Sequence, residues 1–232
     1  MKIHNFFPLS IFQDQIQISV EEKNNLINEI RKMKDSSKNP DYKLKNASWT
    51  GDTQGFEYLH KNKVFDKLFE EIKKKIILYL DFLKVDHKQL DFFLSRSWAT
   101  ISNNKEAIAR HQHLQSHISY AYYLKKSLGD SNFILHDEIH RNEFIPALFR
   151  STTLQKEQVV KEPTYASAPR VSLDVKEDDI VIFPSKTFHG TGQTVNVSNN
   201  DRISIAADIS IFAKDSTNLE QFITPIKEWE KF

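Results

Sequence analysis

The apolar residues of this chain change their period once, near residue 90, and no other feature of the sequence limits its fold as much. Ahead of that point Phe65, Leu68, Phe69, Ile72, Ile76, Tyr79, Leu80 and Leu83 recur at three- and four-residue steps. That spacing lays one apolar stripe along a helix, predicted over about 63–84. A shorter stripe of Leu26, Ile27, Ile30 and Met33 follows Ser19-Val20-Glu21-Glu22. A hydroxyl at the cap with a carboxylate three residues on is a capping box, so a helix over about 20–34 is expected, after an extended lead-in at Phe6–Ile18. Beyond residue 90 the runs are short, β-branched or aromatic: Leu90–Leu94, Ser97–Ile101, Ser119–Lys125, Phe133–Leu135, Val171–Val175, Ile180–Phe183 and Arg202–Phe212. Asn, Asp, Gly, Ser and Pro clusters separate them, as they separate strands. Helices first and strands afterwards predict a mainly β protein with flanking α, a sandwich or barrel with N-terminal helices packed outside.

At 232 residues the chain is expected to form a single domain. It divides into a helical front end (1–89), a strand-rich core (90–212) and a C-terminal extension (213–232). Within the front end, Asp35–Gly55 reads as a loop whose Trp49 packs down on the rest. Within the core, the stretch at about 136–169 holds Pro146, Pro163 and Pro169 with no sustained period; an insertion of that length between strands reads as a lid or binding loop. Lys and Arg number 32 against 31 Asp and Glu, a formal charge of +1. So even a balance gives no general electrostatic reason to expect nucleic acid or a membrane surface as partner. The N-terminus lacks the apolar run of a signal peptide, and no stretch approaches the roughly 20 apolar residues of a membrane span. A soluble, cytoplasmic protein is the expectation.

Cysteine is absent, which removes disulfides, thiolate zinc sites, iron–sulfur clusters and a thiol nucleophile; any metal must sit on His, Asp or Glu. Three of the nine histidines fall within seven residues, at 111, 113 and 117, just before the strand that starts near Ser119. In an extended stretch His111 and His113 project from one face and can meet a single ion, whereas His117 reads as an outer or substrate-side group. His189 follows the apolar run Ile180–Phe183 and Pro184, and Arg202-Ile203-Ser204 comes thirteen residues later. In that last strand Ile203, Ile205, Ala207, Ile209 and Ile211 share one face, suited to a core. Arg202, Ser204, Ala206, Asp208 and Ser210 share the other, small and polar enough to line a cavity. With small neighbours on its face, the Arg202 guanidinium has room to reach inward toward a carboxylate.

In order and spacing these residues resemble the iron(II)- and 2-oxoglutarate-dependent oxygenases. That family combines a His-x-Asp/Glu pair, a distal His late in the sheet, and an Arg some ten to fifteen residues further on, often followed by x-Ser. The resemblance covers Leu90–Phe212 well and Phe6–Leu83 loosely. It is nearest to a subgroup with a helical front end, His-x-His before a Tyr-Tyr strand, and Phe-Pro-Ser before the distal His. It implies a double-stranded β-helix (jelly roll) core, Fe(II) as cofactor and 2-oxoglutarate as co-substrate. By the same resemblance His111, His113 and His189 are metal ligands, and Arg202, Ser204 and Tyr123 bind the co-substrate. O2 and an unidentified substrate, a small molecule or a peptide side chain, would be the partners, and the expected reaction is hydroxylation coupled to decarboxylation of 2-oxoglutarate to succinate. Position 113 departs from the pattern, being His where the wider family has a carboxylate. Asp137 is the alternative ligand considered, beside its ordinary reading as a loop-start residue; His136 and His140 are expected to face solvent. Two rival readings stay open: a cupin-type three-histidine metal enzyme that uses no 2-oxoglutarate, and a binding module on a degenerate oxygenase fold.

Overall fold

A computed structural model describes residues 1–38, 49–103, 105–151, 159–191, 198–215 and 223–232. In chain order its regular elements are β1 (Phe12–Gln15), α1 (Val20–Asp35), β2 (Trp49–Thr50), α2 (Asp66–Phe82), β3 (Leu90–Ser102), β4 (Ile118–Lys125), β5 (Phe133–His136), β6 (Arg170–Leu173), β7 (Asp179–Pro184), β8 (His189–Gly190) and β9 (Arg202–Ala213), with short 3-10 turns between some of them. Six strands form one sheet in the order β1-β7-β4-β9-β3-β2, and three form a second, β6-β5-β8; every named pairing is antiparallel. The mainly β class with two flanking helices is as the sequence leads one to expect.

Both helices form where the capping and stripe patterns place them. Ser19 Oγ accepts the Glu22 amide at 3.2 Å while Glu22 Oε2 accepts the Ser19 amide at 3.1 Å, so two otherwise unpaired donors of the first turn of α1 are satisfied reciprocally. The apolar stripes bury Leu26 and Ile30 of α1 and Leu68, Phe69, Ile72, Ile76, Tyr79 and Leu80 of α2. These side chains share one core with Tyr120 and Tyr122 of β4, Ile180 and Ile182 of β7, and Ile203, Ile205, Ala207 and Ile209 of β9. The helices therefore cover one face of the six-stranded sheet. Trp49 does pack down: it is buried, and its indole N–H donates to Ser37 Oγ at 3.0 Å. Of that expected loop, Asp35 closes α1, Trp49–Thr50 form β2 and Gly51–Thr53 a 3-10 turn; 39–48 lie outside the described residues, as do 152–158 of the expected lid and 216–222 of the C-terminal extension.

One strand expectation is corrected. The two runs Leu90–Leu94 and Ser97–Ile101 are a single thirteen-residue strand, β3, whose register against β9 shifts between Leu94 and Arg96. Ser95 is the extra residue of a bulge and hydrogen-bonds the Asp208 carbonyl at 3.0 Å. A bulge adds one residue to one strand and so exchanges which side chains face which side. After it, Arg96, Trp98 and Thr100 stand opposite Asp208, Ala206 and Ser204. On the other flank of β9, Ser119, Ala121 and Tyr123 of β4 stand opposite Asp208, Ala206 and Ser204 in turn. Cross-strand partners share a face, so register alone gathers these side chains on the side of the sheet away from the helices. There Tyr123, Val181 and Phe183 pack with Phe133 of the second sheet in a smaller core, and the functional site opens beside it. Among the described residues no helix is long and apolar enough to cross a membrane.

Candidate metal centre

His111 sits in an extended stretch ahead of β4, and its amide and carbonyl exchange hydrogen bonds with those of His189 on β8, each 2.9 Å. Two residues on, the His113 amide donates to the Ser185 carbonyl at 2.9 Å. These backbone bonds fix the 111–113 stretch against β8 and the turn that precedes it, and the two-residue period then turns both imidazoles the same way. The approach is close enough that a Cβ on Gly190 would lie 2.9 Å from the Ile108 carbonyl oxygen and 3.0 Å from that of Ala109, so the residue after His189 has to be glycine.

The three rings converge. Their centroids are 4.3 Å apart for His111 and His189, 5.1 Å for His111 and His113, and 5.2 Å for His113 and His189, and one nitrogen from each lies within 4.8 Å of the others. In every case Nδ1 is already engaged: with the Ala109 carbonyl at 2.8 Å for His111, the Thr187 carbonyl at 2.8 Å for His189, and Asp208 Oδ1 at 2.5 Å for His113. A nitrogen facing a carbonyl or carboxylate carries the proton, so the lone pair of each ring is left on Nε2. His113 Nε2 is buried and has no hydrogen-bond partner, a costly state for a polar atom unless something else takes its lone pair. Burial, followed by the neighbouring His111, pushes the His189 imidazole down to about 3, and burial lowers His111 as well. Both are neutral at neutral pH, as ligation requires. Three imidazoles offering Nε2 to one point fit a divalent transition metal such as Fe(II).

Asp208, fully buried on β9, escaped the sequence reading except as one member of a small polar face. Besides His113 Nδ1 it accepts Ser119 Oγ at 3.0 Å, Ser116 Oγ at 3.1 Å and Gln115 Nε2 at 3.1 Å. Burial raises its pKa, but the bonds from His113 and the two serines outweigh that, and the carboxyl ends below its ordinary value. Trp98 also went unrecognised; its indole stacks on the His113 ring at 5.6 Å. On the other side Arg96 lies 5.0 Å from the Trp98 ring and pairs with Asp52 at 2.9 Å. A parity signal existed for Asp208, since it shares a face with Arg202 and Ser204. None existed for Trp98, because the bulge at Ser95 reassigns its face.

A cavity of about 350 Å³ runs from the three histidines to Arg202, lined also by Tyr123, Ser204, Trp98 and Phe183. A larger open groove of about 660 Å³ between α1 and the 63–68 turn holds none of these residues. Arg202 is only 2 % exposed, its guanidinium is 4.9 Å from the centre of the Tyr123 ring, and its Nε is buried with no partner. Among the described residues no carboxylate lies within ion-pair distance of it. Burial pushes the Tyr123 phenol up to about 12, with Arg202 pulling the other way. Tyr123 hydrogen-bonds the guanidinium and the Asp130 carboxylate supports its charge, but a buried arginine whose Nε is unpaired beside a cavity is still suited to an incoming carboxylate.

Asp137 does not join the cluster. It is exposed, and its Oδ1 accepts the amides of Ile139 and His140 at 2.9 and 3.1 Å, the ordinary work of an Asp that starts a loop. Two further expectations are corrected. His117 is exposed and spends Nδ1 on the Ile211 amide at 2.9 Å, away from the metal cluster. His136 and His140 are half-buried rather than solvent-facing; the His136 amide pairs with the Phe188 carbonyl, and Asp137 shelters His140.

Residues 96–208, just under half of the chain, match the family model described as "Putative 2OG-Fe(II) oxygenase"; that span begins at Arg96, ends at Asp208 and contains all six proposed metal and co-substrate residues. No curated protein sequence matches the chain significantly. Among solved structures, the fold is similar to HygX from Streptomyces hygroscopicus with nickel and 2-oxoglutarate bound (13 % identity, 87 % of this chain and 83 % of that one, TM-score 0.52). It is similar also to the non-heme alpha ketoglutarate dependent epimerase SnoN from nogalamycin biosynthesis (11 %, 88 % and 81 %, TM-score 0.55) and to a Pseudomonas putida prolyl-4-hydroxylase (11 %, 87 % and 92 %, TM-score 0.50). The architecture is thus the double-stranded β-helix of these enzymes. The family match and the cluster of three histidines fall in the same segment, 96–208, which is similar to the 2OG-Fe(II) oxygenases.

Proposed function

We propose that the protein is an Fe(II)- and 2-oxoglutarate-dependent hydroxylase acting on a small molecule or peptide side chain, with Fe(II) held by His111, His113 and His189. The observation that carries this reading is the buried guanidinium of Arg202, its Nε without a hydrogen-bond partner, in the cavity that the three imidazoles share. Bound Fe(II) would supply the redox chemistry, coupling O2 reduction to decarboxylation of 2-oxoglutarate to succinate and to oxidation of a C–H bond. The protein's own part is positional. Arg202 matches the distal carboxylate of 2-oxoglutarate, Ser204 and Tyr123 flank that carboxylate, and Phe183 and Phe133 keep the wall of the cavity apolar and dry. The described start of the expected lid is tied to the proposed metal-binding stretch by the ion pair of Arg110 with Glu138.

Anaerobic titration of 2-oxoglutarate into the Fe(II) protein, followed by its visible charge-transfer band, tests the assignment. Removing one partner of a buried ion pair costs about 3–5 kcal/mol, on the order of a hundred- to several-thousand-fold in affinity. Arg202→Ala is expected to weaken 2-oxoglutarate binding by at least the lower factor and to leave Fe(II) uptake nearly intact. Equal binding by parent and variant would remove the assignment. One observation favours a second reading, a cupin-type three-histidine enzyme: among the described residues the clustered ligands include no carboxylate. Tight metal uptake with no succinate formed from 2-oxoglutarate would select it.

A further inference from the structure

We propose that Asp208 supplies the negative charge of this metal centre through His113, in place of a carboxylate bound directly to the ion. The inference rests on the ligand assignment above and goes beyond it by giving a role to a residue that touches neither metal nor co-substrate. His113 occupies the position where the wider family has an acid, so none of the three proposed ligands brings a carboxylate's negative charge to the ion. Asp208 is fully buried, and its Oδ1 meets the protonated Nδ1 of His113 at 2.5 Å. The other acid at the site, Asp52, is matched by Arg96 at 2.9 Å; the same arginine comes no nearer to Asp208 than 3.8 Å. Ser116 and Ser119 hold the carboxylate in place by donating to the same Oδ1. An imidazole whose Nδ1–H is shared with a carboxylate is a more basic, more electron-rich ligand at Nε2, and its ring orientation is fixed. The register opposes Asp208 to Ser119 on β4 and to Arg96 on β3, which puts the anion one hydrogen bond behind the metal rather than on it. Asp208 is therefore a positioning and charge-tuning residue.

Fe(II) affinity and the Fe(III)/Fe(II) midpoint potential, measured on the whole protein without substrate, test this. Asp208→Asn keeps the shape and an acceptor for His113 but loses the charge; it is expected to bind Fe(II) about 10- to 100-fold more weakly than the parent and to have a higher midpoint potential. Ser116→Ala removes a hydrogen bond to Asp208 and keeps the charge, so it should move the potential less than Asp208→Asn does. If Asp208→Asn matches the parent in both affinity and potential, the proposal is overturned while the oxygenase reading stands. A parent protein that takes up no Fe(II) overturns both. Should Asp208→Asn fail to fold, long-range proton–nitrogen NMR on the Zn(II)-loaded parent decides: a His113 protonated on Nδ1 and metallated on Nε2 supports the proposal, and metal on Nδ1 overturns it.

Discussion

His113 uses its two nitrogens for two purposes, and the consequences separate it from Asp137. Its Nδ1 is tied to Asp208 and its Nε2 is the buried, partnerless atom that faces the other two imidazoles. Asp137 serves only the turn that follows it. His113→Ala is therefore expected to lose stoichiometric Fe(II) binding in an equilibrium metal titration, and Asp137→Ala to keep it. Ala at 111 or 189 should lose it too, because an open-sited ion held by two remaining imidazoles gives up a ligand it cannot replace. At this scale the sequence disclosed the residue types and spacings: the alternate histidines, the later His189, and Arg202 with Ser204 on one strand face. It did not disclose Asp208 as the partner of His113, since the two are 95 positions apart and only strand register brings them together.

The elements bring their own tests. The capping box of α1 was legible in four letters, Ser19 to Glu22, because both of its hydrogen bonds are local. Ser19→Ala is expected to cost about 1 kcal/mol in chemical denaturation. Glu22 also pairs with Lys67 of α2; that hydrogen bond and those to Ser19 hold its carboxyl down to about 2 from an ordinary 4.5. A carboxyl with a lowered folded-state pKa binds fewer protons folded than unfolded between those values. Its contribution is thus complete above about pH 4.5 and lost as the pH falls toward 2, and Glu22→Gln should flatten the acid limb of a melting-temperature profile over that window. Gly190 is a test of opposite character. Its missing Cβ lets β8 approach the backbone at Ile108 and Ala109, so Gly190→Ala forces apart the strands that carry His111 and His189 and should weaken metal binding even though no ligand changes. A titration showing parental affinity for Gly190→Ala would contradict that account.

Across the whole molecule, the proposed ligands come from two separate stretches of chain, 111–113 and 189, and the proposed co-substrate residues from β4 and β9. Only the folded state presents the proposed metal site, so a bound ion is expected to stabilise by mass action. At a free Fe(II) concentration a hundred times Kd the gain is about 2.7 kcal/mol, which for a chain of this size raises the Tm by roughly 5–11 °C. A chelator should reverse the shift, and His111→Ala should not show it. What the sequence by itself determined is whatever depends on near neighbours: the stripes of α1 and α2, the two-residue period of β4, β7 and β9, the apolar and polar faces of the last strand, and the spacing of His111, His113, His189 and Arg202. The tertiary structure alone decided the rest. It joined two expected strands into β3 through a bulge at Ser95, turned Trp98 and Arg96 toward the cavity, paired His113 with Asp208, and drew Asp137 off into a turn. Side-chain period is a local property of the backbone, whereas register between strands far apart in sequence is set by the packing of both faces of the sheet at once, and one bulge exchanges those faces.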